Sequence, residues 1–272
     1  MSRSQFSRGL LLLVLSIATC LTVAPTHAQT TGRAGIGAAQ PSPADQKIAA
    51  NSKAGMTTFL LFYRSNDSLT KDVYGTIKTG VAKRRDAAIL PIQITNRAER
   101  GLIERFDVTR TPLPAVVSLA PNGAVTGVFS QQIKPEEVDG AIVSAGYAKC
   151  IKAMQGGQIV LLCVQPETRG FVPKGVQEFQ ADRLYKERTQ VVNISATDPN
   201  EAQFVKQLGL NARSASPQVV FMAPPGVMLG AYDANVTHAT LATKLASAGK
   251  CCDDKNCKHN RTATGATSTQ RR

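Results

Sequence analysis

The sequence predicts an α/β protein made of two tandem copies of one unit, each running strand, helix, strand, helix, hairpin, helix, and ending in a disordered tail that carries cysteines. Three observations predict it. The segment from Pro114 to Gly127 recurs 103 positions later as Pro217 to Gly230, and the ungapped match runs back to Arg110 against Arg213 and on to Ser144-Ala145-Gly146 against Ser247-Ala248-Gly249. Continuous apolar runs of strand length, Thr57 to Tyr63 and Ile159 to Val164, open the two copies. After the first of them, Leu69, Val73, Ile77 and Val81 recur at helical spacing, with Lys71, Lys78 and Lys83 off that face. A chain of 272 residues with 43 % hydrophobic content leaves about 100 residues per copy, enough to bury a core in each.

In chain order, Arg3 and Arg8 precede the apolar run Leu10 to Ala18, which is too short to span a bilayer, and Thr26-His27-Ala28 resembles a cleavage site. Residues 1–28 therefore read as an export signal, and the protein as periplasmic or extracellular. Cys20, after Ile17-Ala18-Thr19, raises a lipid anchor, against which Thr19 fits poorly. Residues 29–54, rich in Thr, Gly, Ala, Gln, Ser and Pro, read as a flexible linker.

The first domain is expected over 55–148. Its first helix begins at Asp67-Ser68, and its second strand is Ala88 to Ile94, where Pro91 argues for a bulge or an early strand position. A short helix at Ala98 to Phe106 follows, then a hairpin turning at Pro121-Asn122-Gly123 and a last helix from Pro135 to Val143. Residues 149–158, with Gly156-Gly157, read as the link between copies. Over 159–249 the order repeats, with a helix at Gly175 to Lys186, a strand at Gln190 to Ser195, a short helix at Glu201 to Leu208, a hairpin at Pro224-Pro225-Gly226 and a final helix capped by Thr237. Residues 250–272 form the basic tail.

A proline entering the hairpin, with an Asn-Gly or Pro-Gly turn nine residues on, resembles the thioredoxin fold in both copies. The resemblance implies that Leu113-Pro114 and Ser216-Pro217 are cis-proline loops facing a binding edge, with Pro112 a competing position in the first copy. Thioredoxins that exchange disulfides carry Cys-x-x-Cys between the first strand and first helix, where a helix N-terminus lowers the thiol pKa. No cysteine lies between Phe59 and Lys149, and Gln165 to Gly170 has none. The resemblance thus implies a redox-inactive relative that binds protein or peptide as a scaffold or chaperone.

Cys163 sits inside an apolar strand, where a cysteine behaves as a small hydrophobe; a reactive thiol is the alternative. Cys150, Cys251, Cys252 and Cys257 fall outside the expected cores or at their edges and could pair as disulfides in an exported protein, with connectivity open. Alternatively, Cys251, Cys252, Cys257 and His259 could hold zinc or copper(I) at the tail, although their spacing matches no strong ligand pattern. The formal charge of +13, to which Arg3 and Arg8 contribute two, favours anionic cell-surface material as a further partner. An export signal and the absence of tryptophan argue against nucleic acid. No serine elbow, phosphate loop or dinucleotide fingerprint is present, and His238 reads as a surface residue, so the sequence carries no catalytic constellation.

Overall fold

The computed structural model describes residues 41–166, 170–211 and 216–248. Helix α1 (Pro43–Lys53) leads into β1 (Thr57–Tyr63), α2 (Ser68–Val81), β2 (Ala87–Gln93), α3 (Arg100–Arg105), β3 (Ala115–Leu119), β4 (Val125–Ser130) and α4 (Pro135–Ala141). The order then repeats as α5 (Ala145–Gln155), β5 (Ile159–Gln165), α6 (Lys174–Ala181), β6 (Thr189–Ser195), α7 (Ala202–Gln207), β7 (Gln218–Ala223), β8 (Val227–Asp233) and α8 (His238–Ala248). Two four-stranded sheets result, in the orders β2-β1-β3-β4 and β6-β5-β7-β8, which fits two tandem domains. The first pair in each is parallel and the other two antiparallel.

Both faces of each sheet are covered, which is why the central strands read as unbroken apolar runs. On one face of the first sheet Leu60, Phe62, Leu90 and Val117 pack with Ala44 of α1 and Leu102 of α3. Phe59, Leu61 and Val116 on the other meet Val73 and Ile77 of α2 and Val138 of α4. The second sheet repeats this, with α5 and α7 on one side and α6 and α8 on the other. Each large side chain fully buried in this way contributes about 1.5–3 kcal/mol relative to its exposed state.

The described elements correct the expected boundaries. The 29–54 stretch contains a helix from Pro43, because Ser42 accepts the Asp45 N–H and proline suits a first helical position. Ala44 and Ile48 give that helix a face to bury. Residues 149–158 are not simply a link either, since α5 carries Cys150, Ala153 and Met154 into the core of the second sheet. The halves meet at 142–144, between α4 and α5.

Ser144 caps α5 through the Tyr147 N–H, whereas Ser247 and Ala248 close α8, so the sequence match there pairs a helix start with a helix end. The structural repeat is instead 102 residues up to α7, pairing Ser42 with Ser144 and Glu99 with Glu201. It becomes 103 from β3 onward, with one extra residue before β7. Cys20, the proposed signal, residues 29–40 and the tail lie outside the described residues.

Candidate functional site

In the first half, β1 delivers the chain at Tyr63 to a four-residue turn, and Asp67 caps α2. Its carboxylate accepts the Thr70 N–H at 2.8 Å and the Ser65 hydroxyl at 2.8 Å. The Thr70 amide, and then the Ser65 hydroxyl, hold the Asp67 carboxyl below the usual carboxylate range. Opposite stands the loop entering β3, where the Leu113-Pro114 bond is cis and the Pro114 carbonyl accepts the Gln131 N–H at 2.7 Å.

Between them lies a cavity of about 370 Å³ lined by Arg64, Ser65, Asp67, Thr70, Thr111 and the Leu113-Pro114 pair, among others. Its hydroxyls, guanidinium and carboxylate suit hydrogen bonding to an extended polar chain. The lining contains no sulfur and no imidazole. Where the thioredoxin resemblance implies a thiolate at a helix N-terminus, this chain places a carboxylate that already accepts the cap hydrogen bond.

The second half differs at the same edge. The stretch between β5 and α6 spans 166–173, longer than the 64–67 turn, and its residues 167–169 lie outside the described set. Buried Gln165, at the end of β5, clamps this stretch by donating to the Phe171 carbonyl and accepting the Phe171 N–H at 3.0 Å. Among the described residues the cis bonds are Leu113-Pro114 and Pro224-Pro225, so Ser216-Pro217 is corrected: it is not cis. The extra residue before β7 lets the chain enter the strand differently. Packing rather than the local dipeptide selects an X-Pro isomer, because the two differ intrinsically by only about 0.5–1 kcal/mol.

Both described thiols are free and buried. Cys150 is 0 % exposed within the second core, which corrects its expected place outside a core or at its edge and makes it inaccessible to a disulfide partner without unfolding. Burial pushes its thiol up to about 12, with nearby Glu201 adding to the shift, and burial alone pushes Cys163 up to about 12. At about pH 8 such a thiol is ionised roughly once in ten thousand molecules. Native protein treated with iodoacetamide should therefore leave both unmodified over a period that fully labels unfolded chain, as read by peptide mass spectrometry. Fast native labelling of Cys163 would instead support the reactive-thiol alternative.

Cys251, Cys252, Cys257 and His259 lie outside the described residues. Among the described ones, no group of three or more His, Cys, Asp or Glu is placed to hold a metal ion. No helix of the described residues is long and apolar enough to cross a membrane. His238 begins α8, its Nε2 lies 2.8 Å from Asp182 Oδ2, and its ring sits near Phe179 and Tyr185. Sequence reasoning missed this pair, because Asp182 and His238 meet only when α6 and α8 share a sheet face.

Two parallel strands, an antiparallel hairpin added beside them, helices on both faces and a proline loop over the first helix's N-terminus now stand together. The architecture is thioredoxin-like. No protein-family model matches the chain, and no curated protein matches it. Among solved structures it is similar to thioredoxin O1 from Arabidopsis thaliana in its oxidized state, at 10 % identity over 37 % of this chain and 88 % of that one, with a TM-score of 0.30. Disulphide isomerase from Xylella fastidiosa Temecula1 is similar at 15 % identity, over 35 % of this chain and 82 % of that one, with a TM-score of 0.27. The NTD_N/C domain of alkylhydroperoxide reductase AhpF from Enterococcus faecalis shows 14 % identity over 67 % of this chain and 89 % of that one, with a TM-score of 0.27.

Proposed function

We propose that this is an exported, non-catalytic protein of two tandem thioredoxin-like domains that works by binding protein or peptide segments. The observation that carries this reading is the first-half cavity, which keeps a proline loop opposite a helix N-terminus but presents Asp67, Ser65 and Arg64 where exchange chemistry needs paired sulfurs. An extended segment laid in that groove meets hydroxyls, a carboxylate and a guanidinium. The Ser65 hydroxyl does donate to Asp67, but that carboxylate also caps α2 and is held below its usual range, which makes it a weak base for activating a nucleophile. Binding there is reversible and leaves the bound chain chemically unchanged.

The test uses a reduced, carboxymethylated unfolded polypeptide carrying a fluorophore, titrated with the protein and followed by anisotropy. Its acidic carboxymethyl groups make Arg64, exposed at the groove mouth, the informative residue. Arg64→Glu is expected to weaken binding by about tenfold, equivalent to about 1.4 kcal/mol, with unchanged thermal stability. A chain ending at Ala248 should bind like the full chain. Equal binding by Arg64→Glu would sink the groove reading, and loss of binding on truncation would move the function to the tail.

A further inference from the structure

The two sheets expose four edge strands, and three are blunted. On β2 the Ile94 N–H bonds the Tyr63 carbonyl, so alternation turns Leu90 and Ile92 toward β1 and Pro91 outward. An edge strand whose outward position is proline cannot offer a donor there. On β4 the register shifts at Ser118/Leu119, and the Gln155 side chain of α5 both accepts the Val125 N–H at 3.0 Å and donates to the Val125 carbonyl at 2.7 Å. On β8 the register shifts at Phe221/Met222.

Strand β6 has neither a proline nor a register shift, and its side-chain cover among the described residues reaches only the Val191 carbonyl. It pairs with β5 in unbroken register from Thr189 to Ser195 and contains no proline. The Ala196 N–H bonds the Gln165 carbonyl, so Val191 and Asn193 turn their backbone N–H and C=O groups away from the sheet. Asn193 occupies the position that Pro91 holds in the first half, 102 residues earlier. Gln190 covers the Val191 carbonyl at 3.0 Å. Among the described residues nothing covers the outward backbone of Asn193.

Alongside this edge runs a cleft of about 640 Å³, walled by Lys149 and Lys152 of α5, Asn122 of the first hairpin, Gln158 and the β6 residues Val191 and Asn193. Its lining holds two lysines and no acidic side chain. Lys152 donates to the Gly123 carbonyl at 3.2 Å, and Lys149 has no acidic partner among the described residues.

We propose that β6 is a strand-addition site for an extended acidic peptide of a partner protein, whose backbone pairs with Asn193 and with the Val191 N–H while its carboxylates face Lys149 and Lys152. Charge selects this occupant. A second copy docked on the same edge would bring its own Lys149 and Lys152 against these lysines. The chain's own remaining segments are also unfavourable: residues 1–40 carry Arg3, Arg8 and Arg33 with no acid, and residues 249–272 set Asp253 and Asp254 against six Lys and Arg. The site is separate from the groove at Pro114 and does not rest on that reading.

The experiment uses the full chain and two fluorescein-labelled probes, an alternating Asp-Val heptapeptide and an alternating Lys-Val heptapeptide. Polarisation should show the acidic probe binding, more weakly as salt rises, and the basic probe not binding. Asn193→Pro, which copies the first half, and the double change Lys149→Glu with Lys152→Glu should each weaken acidic-probe binding by about tenfold or more, while Asn193→Ala stays within about twofold. Because proline could disturb folding, hydrogen exchange on unaltered protein gives a second readout: the acidic probe should slow exchange at the Val191 and Asn193 amides. Equal binding of both probes, or protection at residues 64–70 instead of 191–193, overturns the proposal. So does probe-independent protection accompanied by dimers.

Discussion

Alanine at Gly175 is expected to destabilise the second half by about 3 kcal/mol or more, a large share of the ~5–15 kcal/mol that holds a domain together. Gly175 lies in the first turn of α6, where a Cβ would meet the Val236 carbonyl oxygen at 2.0 Å and the Thr237 Cα at 2.8 Å. Both are backbone atoms, so no rotamer change relieves the clash. Thr237 also accepts the Thr240 N–H at 3.2 Å to start α8, and displacing it loosens that cap as well. Gly75, within α2, has nothing within 4 Å of such a Cβ. There alanine should stabilise by about 0.5–1 kcal/mol, since glycine's extra backbone freedom is then the main difference. Urea unfolding followed by circular dichroism distinguishes the two signs. A Gly175→Ala chain as stable as the parent would show that α6 and α8 do not approach as described.

Glu201→Ala is the second large effect, and its size relative to Glu99→Ala is the informative quantity. Glu201 is 5 % exposed, and its carboxylate accepts the Gly146 N–H at 2.7 Å and the Ser144 hydroxyl at 2.6 Å, both at the start of α5. Removing it leaves two donors unmet at a helix end that favours negative charge. A cost of about 3 kcal/mol follows. Glu99, equally buried, makes the matching contact with the Ala44 N–H at 3.1 Å, but its other oxygen has no partner among the described residues. The Ser42 hydroxyl, counterpart of Ser144, donates instead to Asp45 at 2.9 Å. Position 147, the counterpart of Asp45, is tyrosine, so no carboxylate competes there. Glu99→Ala should therefore cost nearer 1 kcal/mol. Equal losses at the two sites, measured by urea unfolding, would refute this asymmetry.

These two glutamates illustrate what could be read from the chain directly. The short helices that carry them were legible, because their apolar spacing is local. Their partners 55 to 57 residues away were not, since nothing in the spacing of Ser144 and Glu201 announces that α5 and α7 share a sheet face. The same limit explains Cys150 and the 149–158 stretch. Glycines at 156 and 157 end α5 inside the second half instead of linking the copies, because the helix before them belongs to whichever sheet buries Cys150 and Met154. At the candidate groove, the absence of cysteine was plain in the sequence, whereas Asp67's double acceptance and the cavity across from Pro114 required the β3 loop in place.

The sequence by itself determined a mixed α/β chain whose halves each carry an apolar first strand and a later hairpin, since turn residues and apolar runs act over a few positions, but it did not reveal the helices α1 and α5 that open the halves. It likewise determined that neither copy holds paired sulfurs behind its first strand. Tertiary structure alone decided which sheet each helix covers, that Leu113-Pro114 is cis while Ser216-Pro217 is not, and that β6 is left as an edge without proline or register shift. Each of those outcomes depends on backbone groups brought together from far along the chain, where the competing local conformations differ by about a kilocalorie per mole and packing selects between them.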